Sequence, residues 1–151
     1  MLSVPTFGEM WLIDKGNTTP GELKWRWGNP AAYDHGDAAD QKLFFQHHTH
    51  WLDLALDTSS PDYGKMGVFN NRVLLDSNEI STVNTLNPIY DEYENEYFID
   101  SESGTYLPLD FDWTFMSPEP SDLYSNIVSS FQRLDNGNSL ICSGKSGDTR
   151  E

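Results

Sequence analysis

Leu23-Lys24-Trp25-Arg26-Trp27-Gly28-Asn29-Pro30 has a counterpart in Phe111-Asp112-Trp113-Thr114-Phe115-Met116-Ser117-Pro118, with aromatics two residues apart and a proline that stops the run. Working outward, each string is followed by a polar connection and then a segment ending in Leu: His47-His48-Thr49-His50-Trp51-Leu52 in one copy and Ser129-Ser130-Phe131-Gln132-Arg133-Leu134 in the other. A glycine-centred turn into a short apolar run closes each copy, Tyr63-Gly64-Lys65-Met66-Gly67-Val68-Phe69-Asn70 beside Asn136-Gly137-Asn138-Ser139-Leu140-Ile141-Cys142-Ser143. Asn136-Gly137 is a strong hairpin signal, because Asn-Gly accepts positive φ at both turn positions. The copies stand 88 residues apart at Trp25 and Trp113, and 73 apart at Tyr63 and Asn136. Such spacing suits two blades of roughly 40 residues with variable loops.

The expected fold is all-β, a β-propeller segment of roughly two to three four-stranded blades. A propeller ring needs at least about four blades, so residues 1–151 read as one segment of a longer chain. The alternative is a small β-sandwich, which the length permits. Candidate strands are Glu9 to Ile13, Glu22 to Trp27, Thr49 to Ala55, Met66 to Asn70, Ser81 to Leu86, Glu96 to Ile99, Leu109 to Phe115, Ile127 to Leu134 and Ser139 to Ser143. Two pieces are expected to be helical: Asp37 to Phe44, with Asp37 as N-cap, and a short turn near Ser121 to Tyr124.

Charge narrows the function classes. The 151 residues hold 24 Asp plus Glu against 9 Lys plus Arg, a net charge of -15. A surface of that sign repels a phosphate backbone and an anionic lipid surface, which argues against nucleic acid and membrane partners. Aromatic residues at 13% set the chain apart from disordered polyanions. No apolar run reaches the length of a membrane span, so no membrane insertion is expected, and Met1 to Phe7 lacks the features of a signal peptide. The single cysteine, Cys142, allows no internal disulfide and reads as a small core residue.

All four histidines fall between Asp34 and Trp51, at His35, His47, His48 and His50. On an extended strand, His48 and His50 point one way and His47, Thr49 and Trp51 the other. Three histidines of one strand cannot converge on one ion, and the spacing fits no zinc pattern, so no metal is expected. Two readings remain open on the residues alone: a histidine nucleophile or acid/base, and polar strand residues at a rim.

Trp25-Arg26-Trp27-Gly28-Asn29-Pro30, Asp40-Gln41-Lys42-Leu43-Phe44 and Gln46-His47-His48-Thr49-His50-Trp51 together resemble the bacterial arylsulfotransferase family. The strings Val68-Phe69-Asn70-Asn71, Tyr124-Ser125-Asn126-Ile127-Val128-Ser129-Ser130 and Gln132 to Ile141 agree in order, so the resemblance runs from about Gly21 to Gly144. It implies a β-propeller enzyme that moves a sulfuryl group from an aryl sulfate to a phenolic acceptor without a nucleotide donor or any cofactor, through a sulfohistidine. It also implies a periplasmic or secreted setting. The nucleophile position falls on His47, with His50 as the assisting acid/base. Asn70 and Asn71 are candidate hydrogen-bond donors to the sulfuryl group or orienters of His47, Arg72 and Arg133 are candidates for its charge, and Trp51 for aryl stacking. The chain departs from the family at Asn70-Asn71-Arg72, where Asn-Gly commonly follows the aromatic. A different class stays open beside the enzyme: a non-catalytic propeller module that binds through its rim loops.

Overall fold

A computed structural model describes residues 1–16, 20–53 and 55–151. Among these the secondary structure is strand, with single 3-10 turns and no α-helix. Three open antiparallel sheets follow one another along the chain. The first joins β1 (Leu2–Val4), β2 (Glu9–Ile13) and β3 (Leu23–Trp27). The central sheet has four strands in the order β4 (His47–Trp51), β5 (Met66–Leu75), β6 (Asn78–Leu86) and β9 (Trp113–Phe115). The last joins β10 (Ser130–Arg133), β11 (Ser139–Ser143) and β12 (Asp148–Arg150). A two-stranded ribbon of β7 (Tyr90–Asp91) and β8 (Glu96–Tyr97) stands in the connection between β6 and β9. No helix of the described residues is long and apolar enough to cross a membrane.

The central sheet is covered on both faces, and its alternation shows how. Opposite residues of an antiparallel pair share a face, so the Met66↔Leu86 and Val68↔Asn84 pairs line one side and Phe69↔Val83 the other. Met66, Val68 and Leu86 pack with Met10, Leu12, Trp25 and Trp27 of the first sheet. Phe69 and Val83 pack with Phe131 and Ile141 of the last sheet, closed by Leu52 and Leu123. Each large apolar side chain buried in this way contributes roughly 1.5–3 kcal/mol. Burial on both faces also explains why Ser81, Thr82, Asn84 and Thr85 of β6 are out of solvent despite their polarity.

The aligned strings occupy matching places in successive sheets. Trp25 and Trp27 lie on β3, the last strand of the first sheet, and Trp113 and Phe115 on β9, the last of the central one. β4 and β10 open their sheets, and β5 and β11 stand second. The first strands of neighbouring sheets touch, β1 against β4 and β4 against β10. Gln46, fully buried, ties two of these sheets by donating from Nε2 to Glu9 O at 2.6 Å. Arg26 reaches across the first sheet to the buried Glu9 carboxylate with two hydrogen bonds.

Several local expectations are corrected. The span Asp37 to Phe44 is not a helix: only Ala38–Asp40 makes a 3-10 turn, capped by Asp37 Oδ1, which accepts from Ala39 N at 2.7 Å. Residues 42–44 are drawn out of helical geometry because Lys42 and Leu43 donate to Gly28 O, Phe44 donates to Asn70 Oδ1, and Leu43 enters the core. Tertiary contacts outweigh the weak helical preference there. The turn near Ser121 to Tyr124 forms as a 3-10 turn at Pro120–Asp122. β5 and β6 run longer than expected and meet in a two-residue turn with φ of 48° at Asp76 and 69° at Ser77. The Asn136-Gly137 hairpin forms, yet only Gly137 takes positive φ (86°), as in a three-residue loop with its left-handed position on glycine. The stretch Leu109 to Phe115 is strand only from Trp113, and just before it the carbonyls of Leu107 and Pro108 accept the indole N–H groups of Trp25 and Trp27. The expected strand from Thr49 to Ala55 begins earlier, at His47, and ends at Trp51; residue 54 lies outside the described residues.

Candidate functional site

His47 opens β4, and a bulge decides which way its neighbours face. His47 pairs with Phe69 but His50 pairs with Gly67, so two residues on β4, His48 and Thr49, oppose one on β5, Val68. The extra residue is accommodated at His48, which adopts left-handed φ of 50°. Strict alternation places His47 and His50 on opposite faces; the bulge instead brings both to the face shared by Gly67, Phe69 and Asn71. His48 and His50 stay together, with ring centroids 4.3 Å apart.

The His47 ring is half-buried and held by one nitrogen. Its Nδ1 lies 2.8 Å from Asn71 Oδ1 and 3.1 Å from Phe45 O. The Asn71 amide is itself oriented, because its Nδ2 donates to Ser125 O and Val128 O, each at 2.7 Å. With Nδ2 spent on two carbonyls, Oδ1 must be the atom that faces His47. Both neighbours of Nδ1 are acceptors, so in the neutral ring Nδ1 carries the hydrogen and Nε2 the lone pair. Ser81 secures the same framework, donating from Oγ to Asn71 O at 2.9 Å and accepting from Ser125 N at 3.0 Å.

The backbone around this framework is strained. Phe45, His48, Val128 and Ser129 have φ of 57, 50, 49 and 100°. For a β-branched residue such as Val128 the left-handed region is costly, of order 1–3 kcal/mol, and such residues gather at functional sites.

Arg72 lies beside His47 through Phe45. Its guanidinium carbon is 3.9 Å from the Phe45 ring centroid, and Phe45 meets His47 edge-on with centroids 5.6 Å apart. Arg72 Nε donates to Asn126 O at 2.8 Å, while its two terminal amino groups make no hydrogen bond among the described residues. Phe45 and Arg72 line an open cavity of about 290 Å3 with Gln41, Phe44, Leu74 and Glu79. At its edge the Tyr124 phenol donates to Glu79 Oε2 at 2.5 Å, and that bond raises the Tyr124 pKa above its ordinary value.

The other candidates are distributed differently. Asn70 uses its amide within the fold: it accepts from Phe44 N at 2.7 Å and donates to Lys42 O at 2.8 Å, which pins the 42–44 loop. His50 holds His48 O through Nδ1 at 3.0 Å and packs on Phe131, with Nε2 again the open nitrogen. Trp51 stands opposite Met66, at the far end of β4, and lines a separate cavity. Arg133 pairs with Asp62 at 3.4 Å and covers Trp113. His35 lies at Ser103 and Tyr33. Among the described residues no three His, Cys, Asp or Glu side chains gather as a metal site.

Ser125, Asn126 and Val128, which hold Asn71 and Arg72 through their carbonyls, were not among the candidates. Their signal was the string Tyr124 to Ser130, whose hold on Asn71 and Arg72 is made by backbone carbonyls that residue type does not announce. No protein-family model, curated protein or solved structure matches this chain.

Proposed function

We propose that the three sheets are consecutive blades of a β-propeller and that His47 accepts a sulfuryl group from an aryl sulfate and passes it to a phenol. The architecture is supported by sheets that stack face to face in chain order, by first strands that touch their neighbours, and by the aligned strings at matching strand positions.

The observation that carries the chemistry is the His47 Nδ1 clamp, which leaves Nε2 as the nucleophile. Nε2 attacks sulfur, the sulfur–aryl oxygen bond breaks, and the phenolate leaves. The ring then bears positive charge with its Nδ1 hydrogen between two oxygens, and Asn71 Oδ1 and Phe45 O stabilise that charge without reorganising. In the second step the acceptor oxygen attacks sulfur, the nitrogen–sulfur bond breaks, and the phenolic proton passes to His50, on the same face of β4. Arg72, with its unspent amino groups, is the cation assigned to the sulfuryl oxygens. Asn71 is a positioning residue, since it acts through His47.

The test is to incubate the full-length protein with 4-nitrophenyl sulfate and phenol and follow 4-nitrophenol release. Transfer is expected in the wild type, with His47 gaining the mass of one SO3 in a quenched reaction, and is expected to vanish in His47→Ala. Transfer that persists in His47→Ala removes His47 as nucleophile. A wild type that makes no phenyl sulfate leaves the non-catalytic binding module, a reading favoured by the aromatic cavity at the other end of β4.

A further inference from the structure

The far end of β4 carries a cavity that the sulfuryl chemistry does not use. Its volume is about 580 Å3, inside the range of roughly 300–1,000 Å3 that small-molecule sites occupy. Trp51, Tyr63, Tyr90 and Tyr97 supply its aromatic surface and Ile89 its aliphatic side. Trp51, Tyr63 and Tyr90 keep 42, 44 and 41% of their surface exposed, so their ring surfaces are available to a ligand. Tyr90 and Tyr97 stand 4.9 Å apart at 58°, two walls of one corner, and Tyr97 is anchored against the core Trp25.

The charge of the cavity selects among ligands. Of the described residues that line it, Glu92 alone is charged, and the ribbon behind it adds Asp91, Glu94 and Glu96. An aryl sulfate or a phenolate meets repulsion there and no compensating Lys or Arg. Burial, and then the nearby Tyr90, raise the Tyr97 pKa above its ordinary value, so that wall stays a neutral phenol near neutral pH. Aromatic faces carry negative potential and attract organic cations, and methylation of an ammonium lowers the cost of removing it from water.

We propose that the Trp51–Tyr63–Tyr90–Tyr97 cavity, with Glu92 at its rim, binds a small methylated ammonium cation. The site is separate from His47 and does not depend on the sulfuryl-transfer reading. In this reading Trp51 serves cation recognition at the far end of β4.

The test compares choline with its neutral isostere 3,3-dimethylbutan-1-ol by calorimetry and by NMR titration of the Trp51 indole N–H. Choline is expected to shift that resonance and to bind about tenfold more tightly than the isostere, a ratio set by the cation–aromatic attraction. Trp51→Leu and Glu92→Gln should each weaken choline binding several-fold while leaving the unfolding midpoint unchanged, and Glu92→Gln should leave sulfuryl transfer unchanged. Should Trp51→Leu disturb the fold, Glu92→Gln, at an exposed side chain, supplies the same comparison. Equal binding of both probes, no perturbation at Trp51, or choline affinity unchanged in a folded Glu92→Gln variant overturns the proposal.

Discussion

Gly67 lies where the Phe131 ring of the last sheet meets the central sheet, and adding one methyl there tests that stacking. A Cβ built on Gly67 falls 2.5 Å from Phe131 Cζ, 2.8 Å from Phe131 Cε1 and 2.9 Å from His50 Cε1. Carbon atoms rest near 3.5–4.0 Å, so the Phe131 ring must withdraw by roughly 1 Å. That ring is buried among Phe69, Val83 and Leu123 and has little room to move. Overpacking of this kind costs about 1–3 kcal/mol, against a gain of about 0.5–1 kcal/mol for replacing a strand glycine by alanine. Gly67→Ala is therefore expected to destabilise by about 1–2 kcal/mol. Phe131→Leu, which removes the end of the ring, should cost about 1–1.5 kcal/mol alone, and the double variant should be no less stable than Phe131→Leu. The expected coupling is about 1–2 kcal/mol, within the range for residues in contact. Equilibrium urea unfolding of the four proteins, followed by tryptophan fluorescence, measures it. An additive double variant, or a Gly67→Ala protein more stable than wild type, refutes the face-to-face packing at Phe131.

Two further outcomes follow from the site. Asn71→Ala leaves Val128 O short of a donor, Ser125 O with Ser81 Oγ alone and His47 Nδ1 with Phe45 O alone; it should cost about 1–3 kcal/mol and move His47 toward mixed tautomers in 15N NMR, whereas an unchanged tautomer and stability would deny Asn71 its positioning role. His48 is held below its ordinary pKa of 6.5 by desolvation first and by the like charge of His50 second. The unfolded chain then binds a proton that the folded one resists, so this contribution is whole above about pH 6.5 and is lost as pH falls through the lower folded value. His48→Gln should flatten the stability profile below about pH 6.5, and a slope identical to wild type in urea titrations would sink that assignment.

The all-β class was legible because its signals are local. Alternating aromatic and β-branched runs between Gly, Pro and Asn mark strands whatever they pack against, and β2 and β11 fall on the expected bounds. The aromatic strings around Trp25 and Trp113 likewise fall on strands, β3 and β9. The histidine cluster was visible in one dimension, whereas His47 was singled out within it only by the resemblance of the Gln46-His47 string.

What tertiary structure decided is what depends on distant partners. The Asp37 to Phe44 stretch has helical preferences worth only tenths of a kcal/mol per residue, and they lose to Gly28 O, Asn70 Oδ1 and the core site of Leu43. The bulge at His48 moved His50 to the face of His47, which no period-two reading can supply, since one extra residue reverses the facing of those that follow. Asn70 and Asn71 are identical in sequence and adjacent on one strand, so they point to opposite faces. One meets the 42–44 loop and holds it; the other meets the carbonyls of Ser125 and Val128, more than fifty residues away, and through them fixes which nitrogen of His47 is free. Residue type determined that an imidazole stands on β4, and long-range packing determined which of its nitrogens is held and which is left open.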